Sequence, residues 1–279
     1  DPDLGPIVKT VMTRCIQCTR CVRFSEEIAG VSDLGMVNRG EDAEITTFIE
    51  KAINSELSGN LVDVCPVGAL TSKPYAFTAR PWELRKTDSI DVQDAVGSNI
   101  RIDTRGEVVL RILPRLNEEV NEEWLADKGR FWVDGLKRQR LDRPFIRENG
   151  KLRAATWNEA FGAVAAKLKG VDGKRVAAIA GDQCDAESMF ALKELMTALG
   201  SPNIDCRQDG SAADANVRAS YLFNSTIAGI DKADVILLVG TNPRWEAPVL
   251  NARIRKRHLK GGLKVASVGG VGELARRRV

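Results

Sequence analysis

Three cysteines inside one seven-residue stretch, Cys15-Ile16-Gln17-Cys18-Thr19-Arg20-Cys21, constrain this chain more than any other feature. Cysteines two residues apart cannot all enter a disulfide frame without a matching cluster elsewhere. The other three, Cys65, Cys184 and Cys206, are scattered. With no secretory leader visible, the cluster reads as metal ligation in a reducing compartment. A second element supports this: Cys65 is followed directly by Pro66, which turns the chain away and leaves no N–H beside the last ligand. A cubic [4Fe–4S] cluster needs one thiolate at each of four corners, three from a curved loop and one from a remote cysteine. Zinc usually takes two paired hooks. Here the second hook is a single Cys, the third Cys of the first hook would be idle, and the sole histidine, His258, is far away. Cys184 and Cys206 lack ligand spacing and read as ordinary buried or half-buried thiols. Val62, Val64, Val67 and Leu70 are expected to surround the cluster.

Composition adds limits. Of 279 residues, 43% are hydrophobic and 28% charged, an ordinary globular balance. Lys and Arg number 41 against 38 Asp and Glu, a formal +3, too even to argue for nucleic acid. No window reaches the roughly 18 consecutive apolar residues of a membrane span.

Three segments follow along the chain. In residues 1–78 a short helix is expected over 22–29, a longer one over 50–64 from apolar Ile53, Leu57, Leu61 and Val64, and another short one from Pro66 to residue 70. Residues 79–140 change character: Ile100, Ile102 and Thr104 alternate with polar residues, Arg105-Gly106 turns the chain, and Val108, Leu110 and Ile112 alternate again, which predicts a β-hairpin. Trp124, Phe131 and Trp132 supply a small core. A basic stretch carrying Lys137, Arg138, Arg140 and Arg143 reads as a solvated connection. Residues 141–279 read as α/β. Thr156 and Glu159 form a capping box ahead of an apolar face of Trp157, Phe161, Val164, Ala165 and Leu168. Asp185 caps a second helix whose Met189, Leu192, Leu195, Met196 and Leu199 face the core. Strands over 176–180, 235–239 and 263–268, with a helix over 247–260, predict a parallel sheet covered on both faces.

Other motifs are weaker. The turn Gly240-Thr241-Asn242-Pro243 lies where open α/β sheets bind ligands, but a plain strand-to-helix turn explains it equally. The basic run Arg253, Arg255, Lys256, Arg257, His258 and Lys260 reads as a solvated helix end rather than a nucleic-acid surface. No constellation for hydrolytic or acid–base catalysis is present, so no catalytic residue is expected. Arg14, Arg20, Arg23 and Phe24 are candidates for a docking face beside the cluster.

The stretches VKTVMTRCIQCTRCVRF, SELSGNLVDVCPVGALTSKPYAFTARPWELRKTDSIDVQDAVGSNI, GLKRQRLDRPF and ADVILLVGTNPRWEAPVLNARIRKRHLK strongly resemble the large iron–sulfur subunit of respiratory complex I, NADH-quinone oxidoreductase, in its bacterial and mitochondrial forms. The resemblance covers residues 7–265. It implies that Cys15, Cys18, Cys21 and Cys65 bind one [4Fe–4S] cluster; the family often has His where this chain has Gln17, a position that is not a ligand. It further implies a [2Fe–2S] domain and a second [4Fe–4S] site upstream of the segment given, so an internal fragment is expected, and residues 270–279 no longer resemble the family. The third segment resembles the molybdopterin oxidoreductase fold. Active members of that superfamily carry a C-x2-C-x3-C motif in the part corresponding to 88–100 and a fourth Cys near 125–128; this chain has no cysteine there, which implies a scaffold without molybdopterin.

The expected fold class is thus α+β and α/β multidomain: a ferredoxin-like [4Fe–4S] module, a β-rich segment resembling a cluster domain without its cysteines, and a partial α/β domain. The resemblance implies an electron-transfer subunit relaying single electrons from NADH and FMN towards quinone, with NADH and quinone as substrates of the complex only. Implied partners are the flavin-bearing NADH-oxidising subunit and the quinone-side iron–sulfur subunits. The implied location is peripheral, on the cytoplasmic side of the bacterial inner membrane or the matrix side of the mitochondrial one. Two alternatives are a molybdenum- or tungsten-dependent formate dehydrogenase chain and a zinc-stabilised nucleic-acid-binding module using the basic run.

Overall fold

The computed structural model describes residues 1–47, 51–206, 214 and 216–269. The chain forms two compact units, one of residues 1–136 with 223–279 and a smaller one of residues 137–222.

The larger unit opens with β1 (Val8–Thr10), which pairs antiparallel with β4 (Leu70–Ser72), so that Thr10 lies opposite Leu70. Between them lie the short helix α1 (Arg20–Arg23), a wider π-type turn over Phe24–Ile28, the antiparallel pair β2 (Leu34–Val37) and β3 (Glu44–Thr47), and α2 (Asn60–Val64). The helix expected over 22–29 therefore exists in two parts. The one expected over 50–64 is reduced to its last turn, and residue 50 lies outside the described residues. The reason is competition for backbone groups: the Ile53 N–H donates to the Leu4 carbonyl and the Asn54 N–H to Asp33. Leu57, from this non-helical path, and Leu61, from α2, still reach the core, each contributing about 1.5–3 kcal/mol by burial. The helix expected after Pro66 is a turn, with Gly68 at φ 69°, because Leu70 joins β1 instead.

The predicted hairpin is present as β6 (Asn99–Arg105) and β7 (Val108–Pro114), extended by β5 (Arg85–Ile90) into an antiparallel sheet of three strands. Ile100, Ile112, Leu125 and Val133 form its core, with Trp132 packed alongside. Asp103, wholly buried, receives Arg101 at 2.9 Å and Arg111 at 2.7 Å. Burial opposes its charge, but the bonds and positive charges of the two arginines outweigh it and hold the carboxyl below the usual range. Then comes α3 (Asp127–Phe131).

At the end of the unit, β12 (Val235–Val239) and β13 (Lys264–Val268) pair in parallel, connected through α6 (Pro243–Glu246) and α7 (Pro248–Leu259). The β-α-β reading holds, but the strands are not covered on both faces: Val235, Leu237 and Val239 are exposed. The Gly240–Pro243 turn is consumed by its own cap. Asn242 accepts the Arg244 N–H, while Glu246 receives the Thr241 hydroxyl and the Asn242 N–H. A carboxylate there makes it a strand-to-helix turn rather than an anion cradle. Residues 270–279, read as departing from the family, lie outside the described residues.

The smaller unit holds the antiparallel pair β8 (Phe145–Glu148) and β9 (Lys151–Ala154), α4 (Trp157–Leu168), β10 (Ala178–Ile179), α5 (Ala186–Ala198) and β11 (Ile204–Asp205), with β10 and β11 parallel. Both predicted caps form: Thr156 and Glu159 exchange bonds, and Asp185 accepts the Ser188 N–H at 2.7 Å. The strand expected over 176–180 is two residues long, because Ser201 and Asn203 side chains take the Val176 carbonyl. Two expected faces differ. Trp157, Phe161 and Val164 are exposed, and of the apolar residues of α5 only Met196 is buried.

Candidate iron–sulfur centre

The strand pair β1–β4 brings the two ends of the cysteine pattern together. Beyond Thr10, the Val11 N–H bonds to the Ala69 carbonyl and a tight turn over Met12–Arg14 delivers Cys15. Beyond the other end, α2 stops at Cys65, whose backbone is extended. Cys15, Cys18, Cys21 and Cys65 line one small recess, partly open to solvent. Among the described residues, no three His, Cys, Asp or Glu side chains are arranged to hold a single metal ion. Apolar Met12, Ile16, Ile45, Val67, Ala69 and Leu70 complete the wall. Val67 and Leu70 are where the spacing places them; Val62 and Val64 do not line the recess, because α2 ends before it.

The loop's curvature comes from two non-glycine residues with left-handed backbone, Gln17 at φ 48° and Thr19 at φ 59°. Such residues are uncommon and hold only where their surroundings fix them. The Gln17 side chain supplies one restraint by donating to the Ala43 carbonyl at 3.2 Å. Its backbone N–H points at Cys15 Sγ (3.4 Å), and the Leu70 N–H at Cys65 Sγ (3.5 Å). Burial, aided by the neighbouring Cys15 and Cys18 charges, pushes the Cys21 thiol up to about 11, so metal must displace a proton there.

On the rim, Arg14, Arg20 and Arg23 are exposed to differing degrees, and Arg23 pairs with Glu27 at 3.1 Å. Phe24 is not part of this face. It is buried, with its ring 5.0 Å from that of Trp124, in a core shared with Leu57, Leu61, Leu70, Val249 and Ala252. Cys184 and Cys206 are exposed on the smaller unit, against the expectation of partial burial.

Two supports of the site were not visible in sequence. The first is a latch between residues 56–60 and 124–130. Asn60, wholly buried, donates to the Leu57 and Leu125 carbonyls and accepts from the Leu125 N–H and Arg130. Asp127 accepts the Ser58 and Gly59 N–H groups and the Ser58 hydroxyl, while burial pushes its carboxyl above the ordinary range. The second is α7. Its basic run is not a solvated end: Arg253 is buried on Asp231 and the Glu118 and Val120 carbonyls, Arg255 donates to the Glu26 carbonyl, and Lys256 pairs with Glu122. These cations are committed within the unit, which leaves little for a phosphate backbone. No helix among the described residues is long and apolar enough to cross a membrane.

Comparison with known proteins gives three family matches. Residues 5–71 match the ferredoxin-like domain of NADH-quinone oxidoreductase subunit 3, residues 84–134 the NADH-ubiquinone oxidoreductase NDSU1/NuoG-like 4Fe-4S domain, and residues 140–277 molybdopterin oxidoreductase. The chain is 58% identical to a subunit of NADH-quinone oxidoreductase from Rickettsia conorii, over 97% of its own length and 40% of that protein's. It is 55% identical to the NADH-ubiquinone oxidoreductase 75 kDa subunit of Reclinomonas americana, over 96% of itself and 41% of the relative. For the mitochondrial NADH dehydrogenase [ubiquinone] iron-sulfur protein 1 of Solanum tuberosum the identity is 57%, over 96% and 37%. The chain thus spans about two fifths of the length of these relatives. With an iron–sulfur module at its front and this identity along nearly every residue, the chain belongs to the family of the 75 kDa iron–sulfur subunit of complex I, the NuoG-like subunit of NADH-quinone oxidoreductase.

Proposed function

We propose that this chain is the electron-transfer segment of a complex I iron–sulfur subunit, with Cys15, Cys18, Cys21 and Cys65 holding one [4Fe–4S] cluster that relays single electrons from NADH and FMN towards quinone. The observation that carries the reading is the convergence of those four cysteines on one recess with an apolar wall. The bound cluster supplies one-electron redox chemistry. The chain's own residues would hold it through the β1–β4 pair and the Asn60 latch, direct the Gln17 and Leu70 N–H groups at the Cys15 and Cys65 sulfurs, and limit water through Ile45, Val67 and Leu70. Cys18 and Ile16 are exposed, which favours that rim as the side where electrons enter or leave.

The partners in this reading are the flavin-bearing subunit and the quinone-side iron–sulfur subunits, in a peripheral arm on the cytoplasmic or matrix side of the membrane. Segments 1–78, 79–140 and 141–279 serve as cluster module, β-rich connector and scaffold. The scaffold carries no molybdopterin. Supporting this, residues 88–100 and 125–128 hold no cysteine, and Asp94 and Lys128 from those stretches pair at 3.2 Å. The deciding experiment compares iron and acid-labile sulfide in Cys65→Ser and Cys184→Ser. Loss in the first alone is expected; equal loss in both refutes the ligand set.

A further inference from the structure

Residues 77–83 present two large aromatic side chains to solvent, Phe77 at 69% exposure and Trp82 at 81%. Phe77 also holds a left-handed backbone, φ 64°, a conformation that a bulky residue adopts at a cost and that Asn or Gly adopts readily. Inside the chain the ring gains little in return, since the contact seen is the Lys9 ammonium 4.9 Å from its centre. Neither ring serves the core, yet the backbone that presents them is firmly held. Tyr75 donates its hydroxyl to the Ala79 carbonyl, Arg105 donates to the Thr78 carbonyl, and Glu83 receives the Arg80 N–H in a capping box over the Pro81–Glu83 turn.

The charge of this part of the surface is mainly positive: Lys9 lies over the Phe77 ring, and Arg80, Arg85 and Arg105 are exposed, against Glu83 and Glu107. A strained residue, a rigid presenting loop and two exposed aromatics flanked by cations form a preorganised anchor. Aromatic anchors seated in a pocket are where binding energy concentrates, and the flanking cations select an acidic rim. We propose that the Phe77–Trp82 surface docks a protein partner through an apolar pocket with an acidic border. A lipid surface suits these residues less well, because a bilayer needs no fixed side-chain register and Glu83 sits among the cations. The proposal goes beyond the electron-transfer reading and does not depend on it.

The test places a benzophenone-bearing amino acid at Trp82 in the full subunit within its native assembly. After irradiation, the adduct should lie on a second polypeptide, in a segment of net negative charge. An adduct to lipid, to the same chain, or none, overturns the proposal. In parallel, Phe77→Asn should leave the chain's thermal midpoint unchanged or higher, while co-purification with the assembly falls at least tenfold and falls further with added salt. A midpoint lowered as far as by Leu61→Ala would assign the ring to the fold and refute the proposal. Iron and sulfide should stay at wild-type levels in Phe77→Asn, which separates failure here from failure of the cluster reading.

Discussion

Replacing Asn60 by Ala tests how firmly the fourth cysteine is held. Asn60 opens α2, and Cys65 ends it. The side chain makes four bonds: 2.8 Å to the Leu57 carbonyl, 2.8 Å to the Leu125 carbonyl, 3.0 Å from the Leu125 N–H and 3.3 Å from Arg130. Leu57's carbonyl also accepts the Asn60 N–H, and Arg130 also reaches Asp63, so those two groups keep partners. The Leu125 backbone loses both its donor and its acceptor contact in a residue with no exposure. At about 1–3 kcal/mol for each of these two buried groups left unsatisfied, the loss is about 2–6 kcal/mol. Urea unfolding followed by circular dichroism measures it, and iron retention at intermediate urea shows whether the site loosens with the latch. A loss below about 1 kcal/mol, with iron held to the same midpoint as wild type, would refute the argument.

Three further outcomes follow from the same structure. Gly129→Ala places a Cβ 2.0 Å from the buried Asp91 carboxylate, and should destabilise by about 1–3 kcal/mol in thermal melts despite the better helix propensity of Ala. Asp103→Asn should cost about 2 kcal/mol at neutral pH. Because its folded carboxyl titrates below the unfolded value, that contribution is complete above the ordinary Asp range and is lost as pH falls through the folded value, so the variant's acid-denaturation limb should be flatter. Arg253→Ala strips partners from Asp231 and the Glu118 and Val120 carbonyls, and should cost about 2–4 kcal/mol by chemical denaturation.

That the four cysteines share one recess was legible because their spacing is a local signal, and the hairpin and two caps because their signals lie within a few residues. What escaped was decided at a distance. Ile53 and Asn54 look helical by spacing, but Leu4 and Asp33 claim their N–H groups. Phe24 sits beside the ligands in sequence, yet Trp124 takes it inward. The basic face of α7 looked solvated because its acidic and carbonyl partners lie in residues 26 and 118–122 and at Asp231. One local signal was simply missed: Asn149-Gly150, both at positive φ, joins β8 to β9 as a tight hairpin.

Val249 and Ala252 of α7 lie in the core that backs the thiols, although the cysteines belong to the first quarter of the chain. During synthesis, Leu61 leaves the ribosome roughly 190 residues before Ala252, an interval of roughly 10–40 s at about 5–20 residues per second. The smaller unit, residues 137–222, is made wholly within that interval. The four clustered cysteines therefore emerge well before the helix that closes the core behind them. Timing separates two routes to the loaded protein: iron and sulfide delivered to a nascent chain would meet an open module, whereas delivery after release would meet a finished one.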